Sequence, residues 1–238
     1  MGHDVLFIED SDDYPSCYNP LTDEVSIDPS YGIRFIQQIF SRFQIMDKWA
    51  YYHAHSKRWF GIDKKKVLQF CKTADLFLNL SGINPVREFV HKIPLRVFID
   101  TDPVFTQIRH LTETGSTGIA AKHNRFFTFG ENFGKANCCI PDDGFPWQPT
   151  RQPLITDQWQ PSPGNEKGHW TTVMQWDSYK IREYNGKIFG MKSASFDPYM
   201  TLAQSDNNFF ELAIGSKTAP RDKDRKSTRL NSSHRTGS

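Results

Sequence analysis

Two aspartates separated by one residue follow an apolar run near the middle of the sequence. Asp100 and Asp102 flank Thr101 directly after the run RVFI. Two carboxylates at a strand end can hold a divalent cation through oxygen ligands, and a single carboxylate can act as a general base. Alternatively, Asp102 caps a helix that has Pro103 in its first turn, either alone or while it also hydrogen-bonds a polar ligand. All three residues, Asp100, Thr101 and Asp102, are therefore candidate site residues.

Two other apolar runs end in small or polar residues. Ser81 and Gly82 follow the run DLFLNL, and Gly130, Glu131 and Asn132 follow the run RFFTF. The second of these turns lacks the glycine spacing of a dinucleotide-binding loop, and no Lys-Ser or Lys-Thr pair follows it as in a phosphate-binding loop. It is either a plain turn or a turn that presents Glu131 and Asn132 to a ligand, so all five residues are candidates.

Three isolated residues have side chains that could contact a substrate. His123 stands just before the run RFFTF, and Arg151 could bind a phosphate or carboxylate through two parallel hydrogen bonds or form a structural salt bridge. Trp176 could stack on a sugar ring, although packing is the common role of a tryptophan. The four cysteines include no Cys-x-x-Cys pair, so the sequence predicts no zinc site and reduced thiols.

The composition excludes several classes of protein. The chain has 238 residues, of which 37% are hydrophobic, which is enough apolar surface to form a core. We expect neither a membrane span nor a secretory signal, because no apolar run has the required length, and we therefore expect a cytoplasmic protein. The net charge of the chain is +2, but residues 224–238 hold four basic residues and one acidic residue. Residues 1–223 are therefore near neutral, and their charge gives no reason to expect a nucleic-acid partner.

Apolar runs alternate with segments of helical periodicity along most of the chain. The predicted strands lie at 4–9, 49–52, 75–80, 96–99 and 125–129. Helices are predicted at 31–43 and 85–90, and two more are predicted to begin after Asp63 as N-cap and at Pro103. Residues 11–30 are predicted to form a loop. Strands that are nearly all apolar and alternate with helices favour a Rossmann-like α/β fold with a parallel sheet covered on both faces. The carboxyl ends of such strands lie at one edge, where ligands bind.

A second series of elements begins after a proline-rich segment. The runs TTVMQW (171–176) and FFELAI (209–214) are predicted strands of a second α/β domain. We accordingly divide the chain into a first domain at 1–160, the start of a second at 161–223, and a tail at 224–238. Residues 224–234 resemble the conceptual translation of a sequencing adapter, which indicates a non-native disordered tail.

Several segments taken together resemble a known protein family. The segments DLFLNLSG, RVFIDTDPVFTQIRH, FFTFGENFG, CIPDDGFPWQPTRQP and TTVMQWDSY are similar to those of bacterial glycosyltransferase-like proteins with the two-domain GT-B architecture. The resemblance implies two Rossmann-like domains, the first holding the acceptor and the second holding a nucleotide-sugar donor. It also implies transfer without a bound metal or other cofactor. An inverting enzyme of this kind uses a carboxylate as general base, for which Asp100, Asp102 and Glu131 are the candidates.

The same resemblance implies that the chain is a fragment. The first domain would lack its first strand and helix, and most of the donor domain would be absent, so we expect this chain to be inactive alone. Two alternative functions stay open. One is a metal-dependent transferase or hydrolase that uses Asp100 and Asp102, and the other is a non-catalytic carbohydrate-binding module.

Overall fold

The computed structural model describes residues 2–13, 15–166, 168–177, 180–190, 192–199 and 210–214. The predicted tail at 224–238 lies outside them. The chain forms two compact units, Met1–Gln152 and Pro153–Ser238. The sequence placed this boundary near residue 160.

The first unit contains nine strands and four α-helices among its described residues. In chain order they are β1 (Phe7–Asp10), β2 (Cys17–Asn19), β3 (Glu24–Ser26), α1 (Ser30–Arg42), β4 (Trp49–His53), β5 (Arg58–Gly61), α2 (Lys64–Thr73), β6 (Leu76–Leu80), α3 (Glu88–His91), β7 (Leu95–Asp100), α4 (Phe105–Thr112), β8 (Arg125–Thr128) and β9 (Gln148–Pro149).

A four-stranded parallel sheet carries the strand ends that the sequence singled out. Its order is β6-β7-β8-β9, and every neighbouring pair in it is parallel. Helix α3 lies between β6 and β7 and helix α4 between β7 and β8, so the predicted mixed α/β, Rossmann-like class is confirmed. One detail differs from expectation, because Leu76, Leu78 and Leu80 are each about half exposed and one face of β6 is therefore uncovered within the described residues.

A second sheet in this unit has three strands. Its order is β1-β4-β5, with β1 parallel and β5 antiparallel to β4. The main buried cluster connects this sheet to α2 and α3 through Ala50, Val67, Cys71 and Val90. Helix α2 begins as predicted, because the Asp63 carboxylate accepts a hydrogen bond from the backbone N–H of Lys66 at 3.0 Å.

Two local predictions were wrong. The segment 11–30 is not only a loop, since β2 and β3 form an antiparallel hairpin within it. Helix α4 starts at Phe105 rather than at Pro103, and Val104 before it has a φ of 76°. The turn after β7 therefore has a strained backbone that a proline-initiated helix would not need.

The second unit contains the remaining described elements. They are β10 (Trp170–Met174), β11 (Arg182–Tyr184), β12 (Lys187–Phe189), α5 (Lys192–Ser195) and β13 (Phe210–Ile214). Strands β10 and β13 pair in parallel, as expected for two strands of an α/β domain, and β11 and β12 form a hairpin. No helix in the described parts of either unit has the length and apolar character needed to cross a membrane.

Candidate functional site

The ends of β6, β7 and β8 meet at one edge of the parallel sheet, as the sequence predicted. The backbone N–H of Ser81, after β6, donates to the carbonyl of Ile99 in β7 at 2.8 Å. The hydroxyl groups of Ser81 and Thr101 are also hydrogen-bonded to each other. The N–H of Phe129, after β8, donates to the carbonyl of Asp100 at 2.9 Å. We call the residues that follow these three strands the β6–β8 edge.

Asp100 lies beneath this edge with none of its surface exposed. One carboxylate oxygen accepts hydrogen bonds from the Gln107 amide at 2.9 Å and from the Thr128 hydroxyl at 2.8 Å. The other oxygen accepts the backbone N–H of Asp102 at 3.0 Å. Asp100 therefore joins β7, α4 and β8, and its oxygens are directed at protein donors rather than at a ligand.

Asp102 is the more accessible member of the aspartate pair. Burial raises the pKa of its carboxyl above the usual value, and the nearby charge of Asp100 raises it further, while Arg109 acts in the opposite direction. The predicted capping role of Asp102 is wrong, because the residue before α4 is Val104, and its N–H is bound by the Gln107 side chain at 2.7 Å. A half-buried carboxylate with a raised pKa is suited to accept a proton.

Three candidates lie at the surface after β8 and after its neighbour β9. The Arg151 guanidinium donates to the Glu131 carboxylate at 2.8 Å, and both side chains are largely exposed. The Asn132 amide oxygen accepts from the Lys135 ammonium at 2.9 Å. This ion pair and this amide are accessible polar groups that a ligand at the β6–β8 edge can contact.

The two candidate glycines lie in closely packed positions. A Cβ atom on Gly82 would lie 2.6 Å from the Phe98 ring, and the φ of Gly82 is 63°. A Cβ on Gly130 would lie 2.5 Å from the Ile140 side chain. Both glycines are buried, so they shape the edge rather than contact a ligand.

His123 occupies a buried position among hydrogen-bond partners. Its Nδ1 lies 2.9 Å from the carbonyl of Ile119, and its Nε2 lies 3.2 Å from the Asn79 amide nitrogen. Nδ1 therefore carries the proton, and Nε2 accepts. Burial lowers the pKa of the imidazole, which keeps it neutral. Its two nitrogens are already used by the protein, which favours a structural role over the predicted contact with substrate.

Trp176 also lies in a core, that of the second unit. It is 5% exposed and packs in a cluster with Met174, Ile214 and Phe196. This arrangement fits the packing alternative and gives the indole no open face for a sugar. Trp147 is similarly buried in the first unit, where its Nε1 donates to Asp143 at 2.7 Å.

A cavity that the sequence did not indicate lies at the carboxyl end of β1. Its volume is about 450 Å³, and its walls include Glu9, Cys17, Ile33 and Tyr51. None of the predicted site residues lines it. A signal was present in the sequence, since the apolar run DVLFI ends in Glu-Asp-Ser, a polar strand end like the other three.

Among the described residues, no three His, Cys, Asp or Glu side chains are grouped so that they could hold a metal ion. No model of a known protein family matches the chain, and no curated protein or solved structure matches it significantly.

Proposed function

We propose that this chain supplies the acceptor-binding side of a glycosyltransferase that moves a sugar from a nucleotide-sugar donor to an acceptor hydroxyl. The observation that carries the proposal is the β6–β8 edge. It gathers hydroxyl, carboxylate and amide groups at the carboxyl ends of neighbouring parallel strands, which is where α/β sheets bind ligands. The sequence resemblance to GT-B glycosyltransferases supports the same reaction class.

Asp102 is the proposed general base. Inversion at a sugar carbon requires removal of a proton from the acceptor hydroxyl, and a raised pKa makes the Asp102 carboxylate a stronger base for this step. Asp100 holds the backbone of Asp102 in place through the 3.0 Å hydrogen bond from the Asp102 N–H. Glu131 is paired with Arg151, so it is less suited to the role.

Two of the described non-glycine residues with a positive φ also lie at this edge. Ser81 has a φ of 57° and Val104 a φ of 76°, and both follow strands of the parallel sheet. Non-glycine residues in the left-handed region cost about 1–3 kcal/mol each and are concentrated at functional sites. The metal-dependent alternative has less support, because both oxygens of Asp100 accept hydrogen bonds from protein groups.

Saccharide binding by the full chain tests the proposal. Saturation-transfer NMR with a panel of mono- and disaccharides is expected to detect binding that weakens severalfold in Glu131→Gln and in Ser81→Ala. The control is Asp47→Asn, which replaces an exposed acidic residue that is not part of the β6–β8 edge. The proposal is overturned if no saccharide binds, or if the edge variants bind as the control does.

A second assay separates an enzyme from a binding module. The complete gene product is incubated with nucleotide sugars and the saccharide that binds. Transfer that falls about 100-fold or more in Asp102→Asn, while saccharide affinity is kept, is expected for a general base. Saccharide binding without transfer from any donor would instead assign a carbohydrate-binding module.

A further inference from the structure

The cavity at the end of β1 is a second site whose chemistry differs from that of the β6–β8 edge. Its volume of about 450 Å³ lies within the range of about 300–1,000 Å³ that is typical of small-molecule sites. It is lined by the end of β1, by β4, by the β2–β3 hairpin, by α1 and by Ile83 after β6. We propose that it binds a small organic cation, an ammonium group attached to an apolar body. This inference goes beyond the proposed function and does not depend on it.

The charge of the cavity wall favours a cation. Two carboxylates, Glu9 and Asp10, line the cavity, and none of the described lining residues is Lys, Arg or His. Asp10 already has a counter-charge, because Arg87 donates two hydrogen bonds to it at 2.6 and 2.9 Å. One acidic group in the wall is therefore left without a counter-charge.

That group is Glu9. Its carboxylate has neither a hydrogen bond nor an ion pair with any other described residue. Burial raises its pKa, which indicates that water solvates the carboxylate poorly in this position. A neutral hydroxyl group would give Glu9 one hydrogen bond but leave its charge uncompensated, whereas an ammonium group supplies both a donor and a counter-charge.

The remaining walls fit an apolar or aromatic body. Ile33 and Ile36 of α1 line one side, and the Tyr51 ring, which is 6% exposed, lines another. Burial raises the pKa of the Tyr51 hydroxyl, so the phenol stays neutral and adds no charge.

Calorimetry on the full chain tests the charge requirement with two probes of the same shape. 2-Phenylethylamine, which is cationic at pH 7, is expected to bind about tenfold more tightly than neutral 2-phenylethanol. This preference is expected to be lost in Glu9→Gln and kept in Glu24→Gln, which changes an exposed acid on β3. Equal affinity of the two probes, an unaffected Glu9→Gln variant, or no binding of the amine at millimolar concentration would overturn the proposal.

Cysteine alkylation of the unmodified chain tests the location. Cys17 lines the cavity, with its Sγ 3.4 Å from the Tyr51 hydroxyl, whereas Cys139 is exposed elsewhere. Bound 2-phenylethylamine is expected to slow iodoacetamide labelling of Cys17 severalfold and to leave labelling of Cys139 unchanged. If both cysteines react as in the free protein at a saturating amine concentration, the amine does not occupy this cavity. This result does not depend on how well any variant folds.

Discussion

At the scale of single residues, the two aspartates after β7 have different roles despite their similar sequence context. Asp100 is buried and accepts three hydrogen bonds from the protein, whereas Asp102 is half-buried and has a raised pKa. The sequence identified both as candidates but could not distinguish them, because the donors that hold Asp100 come from α4 and β8. A residue's partners across the fold are not encoded in local spacing.

Replacement of Asp100 is expected to destabilise the first unit strongly. Asp100→Ala leaves the Gln107 amide and the Thr128 hydroxyl buried without their acceptor, and we expect the free energy of unfolding to fall by about 3 kcal/mol. Asp102→Asn removes a carboxylate whose ionised form is disfavoured by burial, so it is expected to leave stability at pH 7 equal or slightly raised. Urea unfolding followed by tryptophan fluorescence measures both, and equal losses in the two variants would contradict this assignment.

His123 makes stability depend on pH. Burial lowers its pKa in the folded state from 6.5, so below about pH 6.5 the unfolded chain binds the proton more readily. The contribution of neutral His123 to the free energy of unfolding is therefore present above this pH and is lost as the pH falls. In urea unfolding between pH 7.5 and pH 5, we expect the decrease in stability to be smaller in His123→Gln than in His91→Gln, which changes an exposed histidine. Identical pH profiles would exclude His123 as a cause.

At the scale of secondary structure, local signals were sufficient where the partners are close in the chain. The Asp63 cap was predicted correctly because it binds an N–H three residues away. The β2–β3 hairpin was missed, because each strand has only three residues and its turn has no glycine. The start of α4 was placed too early, since the geometry after β7 is determined by buried Asp100 and by Gln107 rather than by Pro103.

The turn after β6 depends on close packing at Gly82. Gly82→Ala combines a left-handed φ with a Cβ placed 2.6 Å from the Phe98 ring, and we expect it to cost about 2–3 kcal/mol. Gly115→Ala is a matched control, since Gly115 has a φ of 80° but nothing within 4 Å of the added Cβ, and about 1 kcal/mol is expected. Thermal unfolding of both variants isolates the packing contribution. A cost at Gly82 no larger than at Gly115 would mean that the ring moves away without penalty.

At the scale of the whole molecule, the alternation of apolar runs and helical segments was enough to predict the α/β class. It was also enough to predict that three strand ends lie at one edge, because neighbouring parallel strands must end on the same side. The cavity at β1 was not predictable in the same way. Its walls come from five separated segments, and only the strand end at Glu9 is visible as a pattern in the sequence.

The Asn84 side chain covers part of the free edge of the three-stranded sheet. Strand β1 is at the end of its sheet, and such a strand offers free backbone groups to any other extended chain. The Asn84 side chain occupies two of these groups, because it accepts from the N–H of Asp10 at 2.9 Å and donates to the carbonyl of Ile8 at 3.1 Å. A single side-chain amide thus occupies two backbone groups of β1 that a further strand would otherwise pair with.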